Sequence, residues 1–159
     1  VAEITTDHIR VGTDDFDVAA EYAQLGSGTG TGALAMFVGL VRDFGDSAQV
    51  RGMYLEHYPG MTEKSLAKLV AEARERWQLG DVRIIHRVGE LAPGDRIVFV
   101  GVSAAHRAEA FAACEFLMDF LKTRAPFWKR ETDAAGASRW VEQKDSDLSR
   151  ESRWQDVEE

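Results

Sequence analysis

The chain has 159 residues, 45% of them hydrophobic and 29% charged, with a formal net charge of -8. That is the size and composition of one soluble globular domain, and the acidic balance argues against non-specific binding to nucleic acid or to an anionic membrane. No apolar run approaches the ~18–20 residues that a membrane span needs, no basic-then-apolar leader opens the sequence, and a single cysteine forms no internal disulfide, which points to a reducing cytoplasm.

Residues 1–12 mix apolar and polar side chains, with Ile4, Ile9 and Val11 as the contacts of an edge strand. Asp14 and Asp15 are placed to cap a short helix reaching about Leu25, with Phe16, Ala19, Ala20 and Ala23 on one face. A glycine-rich turn follows at 26–32. It does not read as a phosphate loop, because neither a helix nor a Lys-Ser/Thr pair follows it. Residues 33–41, Ala-Leu-Ala-Met-Phe-Val-Gly-Leu-Val, have instead the near-continuous apolar pattern of a strand buried on both faces. Arg42 ends that strand, either as a surface transition or as a ligand clamp, and a polar loop runs over 43–49. Residues 50–58 alternate as a second strand, expected to pair antiparallel with the first.

Thr62 is positioned to cap a helix whose stripe is Leu66, Leu69, Val70, Ala73 and Trp77, ending near Gly80. Residues 82–91 and 96–104 flank Ala92-Pro93-Gly94-Asp95, a strong hairpin signal. The second of these strands is apolar throughout and reads as central. His86 lies mid-strand, as a satisfied structural histidine or as a functional one. Ser103 is placed to cap a helix over 105–124, with Phe111, Cys114, Leu117, Met118 and Leu121 as its buried stripe. His106 and Arg107 fall in its first turn, where the macrodipole disfavours cations, so an anion or a nearby acid such as Glu109 is called for. Cys114 reads as a small buried hydrophobe rather than a reactive thiol. Residues 127–132 and 139–143 form a late hairpin, and 144–159 is a charged, partly ordered tail of the same domain, anchored by Leu148 and Trp154. The four histidines have no zinc-type spacing with cysteine, and no metal site is expected.

Against the acidic average stands one cationic knot, with Lys122, Arg124, Lys129 and Arg130 between Asp119 and Glu131. Pro126 forbids a continuous helix through it and drives Ala125 extended. Lys122 is therefore on the last helical turn and Lys129 on the next element, with Phe127 and Trp128 between them as a dry wall. Two readings stand at this level, an anion-binding catalytic corner or a helix end whose basic residues answer the macrodipole.

Three runs resemble the large, catalytic subunit of molybdopterin synthase: Leu55-Glu56-His57-Tyr58-Pro59-Gly60-Met61-Thr62-Glu63-Lys64, His86-Arg87-Val88-Gly89-Glu90-Leu91 through Pro93-Gly94-Asp95, and Lys122-Thr123-Arg124-Ala125-Pro126-Phe127-Trp128-Lys129-Arg130-Glu131. Residues 100–107 match as well, and the resemblance covers roughly Gly32 to Glu142. It implies an α+β fold of the hammerhead type with an added small antiparallel β-subdomain. It also implies conversion of cyclic pyranopterin monophosphate to molybdopterin, a sulfurtransferase reaction that builds a dithiolene. The resemblance further implies that the sulfur comes from the C-terminal Gly-Gly thiocarboxylate of a small ubiquitin-like carrier subunit, and that the assembly is a homodimer at the core of a heterotetramer. No cofactor of its own is implied for this chain. The family's catalytic lysines match Lys122 and Lys129, and its substrate-binding positions match Arg42, His106 and Arg107, with Phe37 and Met118 as pocket lining. Arg124, Arg130 and Glu131 are supporting neighbours. A pocket in which these cations converge suits an anionic sulfur donor and a phosphate. A non-catalytic adaptor for a ubiquitin-like tail and a phosphate-ester hydrolase are the other classes compatible with the corner.

Overall fold

The computed structural model describes residues 7–26, 28–42, 50–133, 135–141 and 145–155. Ile4, Ser27, the loop 43–49, Ala134 and the stretches 142–144 and 156–159 lie outside them. In chain order the elements are β1 (Asp7–Gly12), α1 (Val18–Ala23), β2 (Ala33–Leu40), β3 (Val50–His57), α2 (Met61–Arg76), β4 (Val82–Arg87), β5 (Gly89–Leu91), β6 (Arg96–Ala104), α3 (Arg107–Arg124), β7 (Phe127–Asp133), β8 (Ser138–Val141) and α4 (Asp145–Ser152). They form an α+β fold with two four-stranded sheets, ordered β1-β4-β6-β2 and β5-β3-β7-β8. The second is antiparallel throughout. In the first, β1 runs parallel to β4 and the other pairs are antiparallel.

Side-chain alternation sets the two faces of the first sheet. Val82, Ile84, Val98, Val100 and Val102 point to α2 and α3, where they meet Leu66, Val70, Phe116 and Phe120. Ile85 and Phe99, out of phase with them, pack on the other face against Phe16 and Leu25, which bracket α1. Each large side chain buried here contributes about 1.5–3 kcal/mol. β6 is central, as its unbroken apolar run requires.

Several expectations are corrected. β2 is an edge strand, not a strand buried on both faces: Met36, Phe37 and Leu40 are exposed, Leu40 by 55%. β3 pairs with β5 and β7 rather than with β2. Residues 82–91 are two strands, because Gly89, at φ +85, turns the chain out of the first sheet and delivers β5 to β3. That left-handed backbone is unstrained only for glycine. α1 is capped by Asp17, whose carboxylate accepts from the Ala19 and Ala20 N–H groups, and its alanines face solvent. Asp15 instead accepts from Arg96. Neither Thr62 nor Ser103 caps a helix: α2 follows Gly60 (φ +84) and α3 follows His106. The Ser103 hydroxyl accepts from the Asp81 N–H at 2.7 Å, inside the sheet layer. Phe111 lies off the buried stripe of α3 and is 68% exposed.

The helix α4 folds back on α3. Trp154 meets Trp77 and Phe116 edge-on at 5.6 and 5.5 Å, and its indole N–H donates to the buried Asp119 carboxylate at 2.8 Å. Arg153 donates to the same carboxylate at 3.1 Å. A buried charge that lost these donors would be costly.

Candidate active site

Pro126 decides where α3 stops. The helix ends at Arg124, and Ala125 is already extended at φ -76, ψ 134. Lys122 stands exposed on the last turn, and β7 begins at Phe127. Lys129 and Glu131 lie opposite Leu55 and Met53, and so share their inward face, over the apolar cluster of Val41, Met53, Leu55, Val88 and Leu91. Phe127 packs on that cluster too. Lys129 Nζ is 3.3 Å from the Glu131 carboxylate.

The Phe127 ring stacks on His86, centroids 3.9 Å apart and planes 19° from parallel. His86 is 5% exposed. Burial pulls its imidazole down to about 4, the hydrogen bond to the Arg87 carbonyl works against that shift, and the nearby Lys122 and His57 side chains add to it. At neutral pH the ring is uncharged, and its Nδ1–H donates to the Arg87 carbonyl at 2.8 Å. Lys122 of α3, His57 of β3, His86 of β4 and Lys129 of β7 thus gather at one corner, where the helix layer meets the second sheet. The dry wall is Phe127 with His86. Trp128, its neighbour in the strand, takes the outer face and is 48% exposed.

Arg42 stands at the same end of the first sheet. α3 turns back along β6, so its last turn lies over the start of β6, which faces the end of β2 at Leu40. His106 and Arg107 are exposed at the opposite end of α3. At ~1.5 Å rise per residue, Arg107 and Lys122 are ~22 Å apart along the axis. One chain therefore does not bring all five cations into one pocket, because a straight helix separates them. Arg107, Phe111, Met118 and Lys122 do share one face of α3. Phe37 is on the α3 side of β2, in phase with Ala35, so edge strand and helix face form one surface. Two supporting residues are engaged elsewhere. Arg124 reaches Glu72 at 3.4 Å and Glu151 at 3.2 Å, over the Phe120 ring, and Arg130 lies over Tyr54 and Trp140 on the outer face of the second sheet. Glu131 alone of the three faces the corner, through Lys129.

Cys114 is buried, and burial, with Glu115 adding to it, pushes its thiol up to about 11. Among the described residues no three His, Cys, Asp or Glu side chains gather to hold a metal ion, and no helix is long and apolar enough to cross a membrane. Sequence reasoning gave His57 no role. Its parity with Leu55 on β3, which sends both side chains inward, was the available signal.

The MoaE protein family matches residues 11–124. A molybdopterin synthase catalytic subunit from Vibrio cholerae is 55% identical over 94% of this chain and 99% of its own length. The chain belongs to the MoaE family. A molybdopterin biosynthesis MoaE protein from Burkholderia ambifaria superposes with a TM-score of 0.77 at 53% identity, over 94% of this chain and 99% of that one. The fold is also that of a chain in a complex of subunits 1 and 2 of molybdopterin-converting factor from Helicobacter pylori, at TM-score 0.69 and 19% identity, over 87% and 91% of the two chains. As a MoaE family member the chain is an enzyme of molybdenum cofactor biosynthesis, of the molybdopterin synthase catalytic type.

Proposed function

We propose that this chain converts cyclic pyranopterin monophosphate to molybdopterin, building the dithiolene with sulfur from the C-terminal Gly-Gly thiocarboxylate of a small ubiquitin-like carrier subunit. The observation that carries the reading is the Pro126 corner, where Lys122 and Lys129 arrive from different elements beside an uncharged wall of His86 and Phe127. The thiocarboxylate and the substrate phosphate are both anions, and lysine and arginine are the side chains that hold them. Opening the cyclic phosphate and losing oxygen as water both need proton donors, a role open to a lysine ammonium. Lys122 serves the carrier's terminal carbonyl and the anionic intermediates, and Lys129 serves as acid/base or substrate anchor. The two roles are interchangeable on this geometry. The sulfur comes from outside the chain, because Cys114 is buried and protonated.

The same reading makes the chain a homodimer at the core of a heterotetramer, working in the cytoplasm. A two-fold contact on the exposed face of α3, with its axis perpendicular to the helix, runs the two helices antiparallel. It then sets His106 and Arg107 of one copy against Lys122 of the other, with Arg42, Phe37 and Met118 around them. The helix N–H groups beside Arg107 add donors for the substrate phosphate. The apolar edge of β2 and the bare Phe111 ring support such a contact.

The deciding assay combines the purified chain, the pyranopterin substrate and the carrier with or without its terminal sulfur. Turnover only with thiocarboxylated carrier is the expected result. Turnover without it fits a phosphate-ester hydrolase, and carrier binding without turnover fits an adaptor. Lys122→Ala should abolish product while keeping the fold, since an exposed helix-end lysine is not core and alanine is the better helix former. Activity within about twofold of the parent would remove Lys122 from the mechanism. Lys122→Arg keeps the charge but does not release a proton near neutral pH, so full activity there would make Lys122 a charge alone.

A further inference from the structure

We propose that Thr62 and His86 are positioning residues, which hold the break at Pro126 and Phe127 and so set the aim of Lys129 toward Lys122. The inference rests on the reading of those lysines given above. Thr62 is fully buried in the first turn of α2, yet its hydroxyl does not cap that helix. It donates to the Pro126 carbonyl at 3.3 Å and accepts from the Tyr58 N–H at 3.1 Å. A hydroxyl has one proton to give and lone pairs to receive, so both capacities are taken up by the break and by the loop that leads from β3. Packing of α2 alone would be served as well by valine, which has the same shape. Pro126 has no N–H with which to anchor itself, so its carbonyl is the group left to hold.

His86 grips the next residue from the other side. Its ring orientation is fixed by the Nδ1–H bond to the Arg87 carbonyl, and its face lies on Phe127. Phe127 is also the cross-strand neighbour of His57, one residue before Tyr58. The break is thus held by α2 through Thr62 and by β4 through His86, both outside the ladder of β7 itself. Lys129 is in phase with Phe127 on the inward face, so a rotation of the strand start turns Lys129 with it. Misplacement by about 1 Å at such a distance from the chemistry costs on the order of 100-fold in rate.

The test uses the intact chain with thiocarboxylated carrier and cyclic pyranopterin monophosphate. Thr62→Val and His86→Leu should each lower kcat by roughly 10-fold or more, with Kd for carrier and for substrate within about twofold of the parent. Thr62→Ser, which keeps the hydroxyl, should retain kcat within about threefold. The Thr62→Val/His86→Leu double variant should lose less than the product of the single losses, because both hold one segment. Should Thr62→Val fail to fold, Phe127→Leu carries the test, with the same kcat loss expected. Parental kcat in folded Thr62→Val or Phe127→Leu, a rise in KM at unchanged kcat, or no recovery in Thr62→Ser would overturn the proposal. Full activity of Lys129→Ala would instead remove the reading beneath it, whatever the variants at 62 and 86 do.

Discussion

Cys114 sits over the carbonyl of Val100, 3.9 Å from its sulfur, in a layer that keeps it protonated at neutral pH. Cys114→Ser should therefore keep sulfur transfer while melting earlier, since an ill-matched buried hydroxyl costs about 1–3 kcal/mol. A folded variant without transfer would make the thiol a sulfur carrier and end the external-donor account. His86 yields a prediction in pH. Unfolded, it takes a proton near 6.5, and folded only near about 4. Between those values the unfolded chain binds more protons, so the stability gained by keeping the ring neutral is complete above pH 6.5 and is lost as pH falls toward 4. The loss is on the order of 3 kcal/mol. Urea midpoints at pH 7 and pH 4.5 should differ less in His86→Phe than in the parent, and equal differences would show that the ring does not drive the acid loss. At this scale the sequence displayed the lysines and the proline, because charge and a missing N–H are local properties. It did not display which of Phe127 and Trp128 turns inward, because that depends on the register of β7 against β3.

β2 shows why an element can be legible while its place is not. Its run is apolar on both faces, the pattern of a central strand, yet it lies at the edge of the first sheet. The pattern reports that both faces are to be covered and is silent on whether this chain or another covers them. Phe111 misled in the same way: helical spacing places it near the apolar stripe, and the structure leaves it bare. The second sheet was harder to read, since β3 pairs with β7 across nearly half of the chain and β5 has only 3 residues. Phe111→Asp tests the α3 contact. An exposed substitution changes the stability of a single chain by about 0.5 kcal/mol or less, whereas a charge at the centre of a two-fold contact should shift the protein from dimer to monomer. Sedimentation at matched concentrations reads the change, and an unaltered dimer would exclude this face as the contact.

For the whole molecule the proposed assembly makes a statement that no single site makes. If Arg107 of one copy serves Lys122 of the other, Arg107→Ala and Lys122→Ala chains are each inactive alone. Mixed and allowed to exchange, they form heterodimers with one ruined site and one intact site. An equal mixture should recover about a quarter of parental activity. No recovery, with exchange confirmed by mass, would put Arg107 and Lys122 to work in the same copy or in different sites. The two sheets bear on how such a molecule is made. Their strands interleave along the chain, and β3 is complete long before its main partner, β7, exists. During synthesis Met53 and Leu55 wait without the strand that covers them, a stretch in which non-local pairing is slow and association with other chains is a hazard. The first sheet with α2 and α3 has all its parts once Arg124 has left the ribosome, whereas the corner needs Phe127 and Lys129 as well. A translation product stalled between them would already carry most of the hydrophobic core and still have no chemistry.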